Sequence, residues 1–308
     1  MKVLITGATG LVGKAIVAQC KKQGISVNYL TTSKEKIETT ENFKGFYWNP
    51  SKQEIDVECF KDVDAIINLA GASISKRWTE SYKQTILNSR LESLELLRST
   101  IEKQNIHIKQ LISASAIGFY PDSITNYYDE NFSTVSSGFL GDVVEKWEKA
   151  ADEFLNLGVL VTKIRTGLVL DSQEGALPEM VKPIKYGVGA AFGDGLQWQS
   201  WIHKIDLARI YIHTFENELD GVFNGVAPNP ISNQELTKCI AHTLNKPLWL
   251  PNIPEFAMKL VLGEMHVLLF ESQRVCSKKI SDTGFDFRFT NLKPALEDLL
   301  EKKKPLQV

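Results

Sequence analysis

The sequence predicts an α/β protein: a doubly wound parallel sheet with a smaller, mostly helical C-terminal cap. Short apolar runs alternate with segments that are apolar at helical spacing up to about Gly167. This alternation is typical of βαβ units whose sheet is covered on both faces. A glycine-rich turn follows the first apolar run, and Gly and Pro interrupt the regular pattern after Gly167. The second part of the chain is therefore expected to have a different architecture.

The elements of the first part follow in chain order. Nearly continuous apolar runs predict buried strands at 2–6, 25–31, 64–70, 108–113 and 159–165. Apolar residues at helical spacing predict helices from Leu11 to just before Gly24, and over 79–103 and 139–157.

The second part is less regular. Frequent Gly and Pro predict loops between Gly175 and Gly195. A helix over 204–216 and a short strand over 222–224 are expected to return to the sheet. Ser232 and Glu235 form a capping box that opens a helix to about Leu244, and the remaining residues are helical by pattern.

Composition excludes several classes of function. The chain has 35 basic and 37 acidic residues, a formal charge of -2, so neither nucleic acid nor an anionic membrane is an expected partner. No apolar run suits a secretory signal or a membrane span. The 4 cysteines are widely spaced, which argues against a disulfide framework and a metal site. A cytoplasmic protein is expected.

The strongest chemical signal is the glycine-rich segment Gly7, Ala8, Thr9, Gly10, Leu11, Val12, Gly13. It lies between a predicted strand and a predicted helix, where glycines allow a tight turn and close approach of the backbone to a pyrophosphate. The helix N–H groups would face the anion. In this context the motif predicts dinucleotide binding rather than mere helix packing. Residues 1–168, with 204–226 returning to them, are thus the predicted dinucleotide-binding domain, and 169–203 with 227–304 form the cap.

The end of the second strand indicates which dinucleotide binds. An Asp or Glu there would accept the ribose 2′-OH of NAD. The sequence instead has Thr32, Ser33 and Lys34, whose hydroxyls and ammonium suit a 2′-phosphate. NADP(H) is therefore favoured over NAD(H); the alternative interpretation is an ordinary exposed turn.

Short motifs along the whole chain mark a resemblance to a known family. They lie at 6–13, 68–71, 88–90, 113–120, 165–167, 197–203, 224–230 and 273–275, and the Trp-Gln-Ser-Trp-Ile-His run at 198–203 is among the most specific. With these motifs the chain resembles the extended short-chain dehydrogenase/reductase superfamily. More narrowly, it is similar to the atypical epimerase-family oxidoreductases with a C-terminal domain of unknown function.

The resemblance implies a Rossmann fold and several site residues. The glycines of the loop would hold the pyrophosphate, and further cofactor contacts are expected from Leu69, Ala70, Gly71 and Asn88. Where the family usually has Arg, this chain has Thr32, which weakens the 2′-phosphate prediction unless Lys34 or Lys36 substitutes. A homodimer formed through two long helices is expected by analogy alone.

The catalytic residues usual in the superfamily are missing. A Tyr-x-x-x-Lys pair is implied on the helix after the serine strand, but with Glu148 aligned to the family's helix glutamate, Leu140 and Val144 occupy these positions. The remaining catalytic candidates are Ser115, which matches a serine that binds the reacting oxygen, then Tyr120 and His203. Each also has a structural interpretation, namely a strand end, a core aromatic ring and a packing histidine.

Two functions remain open from the sequence. The first is an NADP(H)-binding oxidoreductase or sugar-epimerase-like enzyme, whose small-molecule substrate is unknown and which lacks the usual dyad. The second is a non-catalytic, NADP(H)-responsive binding or regulatory protein, which the missing dyad favours because a fold does not guarantee chemistry.

Overall fold

The structure, a computed structural model, describes residues 1–301. The last predicted cap residues, 302–304, lie outside the described residues. The strands are β1 Lys2–Thr6, β2 Ser26–Thr31, β3 Thr39–Thr40, β4 Phe43–Asn49, β5 Glu54–Ile55, β6 Ala65–Asn68, β7 Gln110–Ala116, β8 Tyr127–Tyr128, β9 Leu160–Thr166, β10 Leu168–Leu170, β11 Trp198–Gln199, β12 Trp201–His203, β13 Gly221–Gly225, β14 Ile231–Ser232 and β15 Arg274–Val275. The α-helices are α1 Leu11–Lys22, α2 Glu80–Gln104, α3 Phe139–Asp152, α4 Ala176–Lys185, α5 Lys204–Glu216, α6 Asn233–Thr243, α7 Glu255–Leu262, α8 Val267–Phe270, α9 Lys278–Asp282 and α10 Leu292–Leu300.

The main sheet has nine strands in the order β13-β9-β7-β6-β1-β2-β4-β3, with β5 paired to β4. Strands from β13 to β4 pair in parallel, and only β3 and β5 run antiparallel to β4. The chain moves from β1 outward through β2 and β4, then returns to β6 on the other side of β1. The predicted fold class is confirmed, and the switch point of this topology lies between β1 and β6, where doubly wound sheets bind ligands.

Both faces of the sheet are buried, as the nearly continuous apolar strands predict. Val3 and Ile5 of β1 pack in one cluster with α1 and α5, whereas Leu4 between them packs in another with α2 and α3. Alternate residues of a strand point to opposite faces, so a strand covered on both faces needs apolar side chains throughout.

The C-terminal region has its own core. Its apolar residues surround the fully buried Trp201, with α4, α6 and α10 contributing most of them. Within residues 1–301, no helix combines the length and hydrophobicity needed to cross a membrane.

Several elements differ from the sequence predictions, and in two of them the packing supplies the reason. The loops predicted between Gly175 and Gly195 are wrong in part, because 176–185 form α4. Its Pro178 lies in the first turn, where N–H groups have no intrahelical acceptor, and its buried Leu177, Val181 and Ile184 stabilise the helix by tertiary packing.

The second difference is strand β4, which the sequence analysis did not identify. Gly45 interrupts its aromatic residues, and a Cβ there would lie 2.5 Å from Cζ of Tyr29. Glycine thereby leaves room for the Tyr29 ring, which stacks on Phe43 at a centroid distance of 4.4 Å. This requirement comes from a neighbouring strand and has no local signature.

Candidate functional site

The glycine loop connects β1 to α1 with a geometry that only glycine provides easily. Gly7 has φ of 71°, and a Cβ on Gly13 would lie 2.2 Å from the carbonyl oxygen of Gly7. Gly10 is the N-cap of α1, has no side chain to cap it, and no acidic residue follows in the first turn. Among residues 1–301, the first N–H groups of α1, on Leu11, Val12 and Gly13, have no acceptor and are available to an anion.

A buried threonine joins this loop to the end of β6. The Thr6 hydroxyl donates to Asn68 Oδ1 at 2.7 Å and accepts from the backbone N–H groups of Leu69 and Ala70 at 2.9 and 3.0 Å. A Cβ on Gly7 would lie 3.2 Å from Leu69. The loop and the segment after β6 are thus held side by side at the carboxyl edge of the sheet.

A cavity of about 610 Å³ opens beside these segments; we refer to it as the loop cavity. Six of the predicted cofactor residues line it, namely Gly7, Thr9, Thr32, Ala70, Gly71 and Asn88. The other predicted cofactor residues, which do not line it, are Gly10, Leu11, Val12, Gly13, Ser33, Lys34 and Leu69.

The end of β2 carries hydroxyls toward this cavity and no carboxylate. Thr31 Oγ1 accepts from the N–H of Ser33 at 3.2 Å, which shapes the turn after the strand. Lys34 Nζ lies 5.0 Å from the centroid of the Tyr47 ring, a cation–π distance. Neither Lys34 nor Tyr47 is among the residues that line the cavity.

A second cavity of about 220 Å³, which we refer to as the cap cavity, lies between α3 and the C-terminal region. Its sheet side consists of residues at the ends of β7 and β9 and just after them, including Gly118 and Thr166. Leu140 and Val144 of α3 also line it. The two positions where the resemblance implies Tyr and Lys thus present apolar side chains to the cavity.

Ser115 belongs to a buried charged network rather than to either cavity. Its hydroxyl donates to Glu148 Oε1 at 2.6 Å, and Glu148 accepts two further hydrogen bonds from Arg165 Nε and Nη2 at 2.8 and 2.9 Å. A serine has one hydroxyl proton. In this arrangement Ser115 cannot donate to a substrate oxygen, contrary to the expectation from the sequence.

Tyr120 is fully buried and lines neither cavity. Its hydroxyl donates to Asn224 Oδ1 at 2.8 Å, and its ring stacks on Tyr128 at 5.0 Å. Burial raises the pKa of Tyr120 to about 12. This is opposite to the shift that proton transfer near neutral pH requires, and the contacts of Tyr120 are those of a packing residue.

His203 is likewise fully buried, within the core of the C-terminal region. It is the N-cap of α5, where Nδ1 accepts from the N–H of Ile205 at 3.1 Å, and its ring lies 4.2 Å from that of Phe289. Burial lowers the pKa of His203 to about 4. The imidazole is therefore a neutral helix cap at pH 7 and lines neither cavity.

This lowered pKa predicts a loss of stability in acid. Because the unfolded histidine binds a proton at higher pH than the folded one, stability falls as pH falls from about 6.5 to 4. We expect the wild type to lose about 3 kcal/mol more between pH 7 and pH 4 than His203→Asn, which keeps an N-cap acceptor without titrating. Urea unfolding at both pH values measures the difference, and equal losses in the two proteins would contradict a buried neutral His203.

Several polar residues that are not among the predicted site residues line the cap cavity, including Arg90, Gln199 and Glu271. Arg90 lies on α2, Gln199 on β11, and Glu271 just before β15. Gln273 Nε2 donates to Glu271 Oε2 at 3.2 Å, and burial raises the pKa of the Glu271 carboxyl above its ordinary value. Arg90 belongs to the motif at 88–90 and Gln199 to the motif at 197–203.

Comparison with known proteins adds independent findings. The family described as "NAD dependent epimerase/dehydratase family" matches residues 3–137, and a "Domain of unknown function (DUF1731)" matches residues 253–299. Epimerase family protein SAR0825 of Staphylococcus aureus is 38% identical over 302 residues, which cover 97% of this chain and 99% of that protein. Epimerase family protein SH2119 of Staphylococcus haemolyticus is 37% identical over 301 residues, covering 97% and 98%.

Two solved structures are similar to this chain over nearly its whole length. The crystal structure of human epimerase family protein SDR39U1 (isoform 2) with NADPH has a TM-score of 0.83 and 29% identity, and the match covers 97% of this chain and 99% of that one. UDP-glucuronic acid 4-epimerase from Bacillus cereus, in complex with UDP-glucuronic acid and NAD, has a TM-score of 0.76 at 16% identity over 97% and 98% of the two chains. The second likeness concerns the fold alone.

Proposed function

This chain belongs to the NAD-dependent epimerase/dehydratase family, and from that premise we propose that it is an NADP(H)-dependent oxidoreductase or epimerase-like enzyme acting on a small molecule. One observation carries the proposal: the loop cavity and the cap cavity both open at the carboxyl edge of the parallel sheet, on segments that follow β1, β6, β7 and β9. This is the edge at which doubly wound sheets bind cofactor and substrate.

The loop cavity suits a nicotinamide dinucleotide. Free N–H groups at the start of α1 would hold the pyrophosphate, while Thr9, Ala70 and Gly71 would line its path. Such a cofactor, when bound, supplies or accepts a hydride. The cap cavity, which the C-terminal region lines on one side, would hold the substrate.

NADP(H) is proposed over NAD(H) on the chemistry of the β2 end. Thr31, Thr32 and Ser33 present hydroxyls there, with Lys34 beside them. The human relative with 29% identity was crystallised with NADPH. A 2′-phosphate accepts hydrogen bonds from hydroxyls and an ammonium, whereas a 2′-OH would lack its usual carboxylate acceptor.

A charge reversal tests this preference. We expect Lys34→Glu to weaken NADPH binding by about tenfold or more and to leave NADH binding unchanged, because only NADPH carries the 2′-phosphate. Calorimetric titration measures both affinities, and Lys44→Glu, at an exposed position near the start of β4, is the control. An unchanged NADPH affinity in Lys34→Glu would leave Lys34 without a function in cofactor selection.

Glu271 is the residue that we propose to replace the missing proton-transfer pair. It lines the cap cavity opposite α3, and its Oε2 is held by Gln273. In the reducing direction its carboxyl proton passes to the oxygen of a substrate carbonyl, and solvent reprotonates the resulting carboxylate. In the oxidising direction the carboxylate accepts the proton of an alcohol.

A non-catalytic, NADP(H)-responsive binding protein remains the second candidate, because Leu140 and Val144 make the expected dyad positions apolar. The two functions differ in hydride transfer. If no carbonyl compound of a broad library oxidises NADPH, and labelled hydride at the nicotinamide never exchanges in the presence of those compounds, the binding protein is favoured. Turnover with any of them supports the enzyme.

A further inference from the structure

Arg90 is held in place beside the cap cavity by neutral groups. Its Nη1 donates to the carbonyl oxygens of Ile86 and Ala72 at 2.7 and 3.3 Å. Its guanidinium carbon lies 4.9 Å from the centroid of the Trp147 ring. These contacts fix the plane of the guanidinium but supply no negative charge.

No carboxylate compensates this cation in the described part of the chain. Within residues 1–301, no Asp or Glu oxygen lies within 4 Å of the Arg90 nitrogens, in contrast to Arg165, which forms a salt bridge with Glu148. Burial lowers the pKa of the Arg90 guanidinium to about 10. The Arg90 side chain is partly buried, and a cation withdrawn from water without a partner is costly.

Part of the guanidinium remains available for a ligand. Among residues 1–301, only Nη1 has a protein acceptor, so Nε and Nη2 keep their donors while the side chain lines the cavity. Two neighbouring N–H donors in one plane match the two oxygens of a carboxylate or a phosphate.

We propose that Arg90 binds an anionic group, a carboxylate or a phosphate, of the molecule that occupies the cap cavity. The proposal deepens the proposed function and rests on it for the identity of the cavity as the reaction site. Two sources offer this chemistry. One is a phosphate of the dinucleotide, since a Cβ on Gly71 of the loop cavity would lie 3.1 Å from Arg90 Cζ; the other is an acidic group of the substrate.

Two titrations distinguish the sources. In the first, NADPH is titrated calorimetrically into wild type, Arg90→Met and Arg90→Lys. In the second, the thermal unfolding temperatures of Gly10→Asp and of Gly10→Asp/Arg90→Met are measured at increasing concentrations of malonate or inorganic phosphate. The Gly10→Asp background repels anions from the glycine loop, so this arm does not depend on dinucleotide binding. Arg98→Met, on the same helix but paired with Glu95 and Glu102 at the surface, is the matched control.

In one of the two titrations, we expect Arg90→Met to bind the titrated ligand about tenfold or more weakly than its parent. Arg90→Lys should have an intermediate affinity, and Arg98→Met an unchanged one. Loss of NADPH affinity assigns the anion to the dinucleotide, and loss of the malonate or phosphate response assigns it to the substrate. If Arg90→Met matches its parent in both titrations, the proposal is overturned. NADPH binding by the wild type reports separately on the proposed function, so the two failures can be told apart.

Discussion

The Gly10→Asp variant is expected to lose NADPH binding while remaining at least as stable as the wild type. Gly10 has φ of -83° and ψ of 176°, an extended conformation that aspartate adopts readily, and a Cβ there would make an ordinary 3.4 Å contact with Gly7. Aspartate is a favoured N-cap, so α1 gains a cap that it lacks. The same carboxylate would repel a pyrophosphate by about 4 kcal/mol at ~4 Å, or about a thousandfold in affinity.

Calorimetric titration with NADPH and thermal unfolding of the free protein measure the two effects. Gly10→Asn is the matched control, because asparagine caps α1 equally well without a charge. We expect it to bind NADPH far more tightly than Gly10→Asp does. Undiminished NADPH binding by a folded Gly10→Asp would mean that the loop serves only to pack α1 on the sheet.

The Glu271→Gln variant is expected to lose about a hundredfold to ten-thousandfold in NADPH-dependent carbonyl reduction, with unchanged NADPH affinity. Glutamine keeps the shape of the side chain but has no carboxyl proton. In the wild type, reduction should slow as pH rises through the pKa of Glu271, which burial raises, because only the protonated form donates. Glu271→Gln should lack this decline.

Turnover against pH, measured with any carbonyl compound that the wild type reduces, tests the assignment. Glu179→Gln, at an exposed position of α4, is the control for a generic loss of charge in the C-terminal region. If Glu271→Gln retains wild-type turnover and pH dependence, another group carries the proton.

The cofactor side of the site was predictable because its signals are local. Gly7 and Gly13 are required by a turn and a close contact, and Gly10 leaves the start of α1 without a side chain, all within seven residues of one another. Ala70 and Gly71 follow a strand that the sequence already indicates, and the carboxyl ends of parallel strands meet at one edge.

The catalytic side was not predictable in the same way. Tyr120 and His203 have suitable chemistry, but burial shifts the pKa of Tyr120 upward and that of His203 downward. The Ser115 hydroxyl donates its hydrogen bond to Glu148, which is 33 residues away in the chain. Glu271 and Arg90 line the same cavity although they are 181 residues apart in the chain. Neither local sequence indicates this proximity.

By itself, the sequence determined the α/β class, the parallel sheet, the glycine loop and the absence of the usual dyad. Each depends on residue types within one element or one turn, where apolar periodicity and glycine conformation act locally. The tertiary structure alone decided that α4 forms despite its prolines, which hydroxyl protons are already engaged, and which charges face the cap cavity. These properties depend on burial and on contacts between distant segments, and burial determines whether a polar side chain can act or only pack.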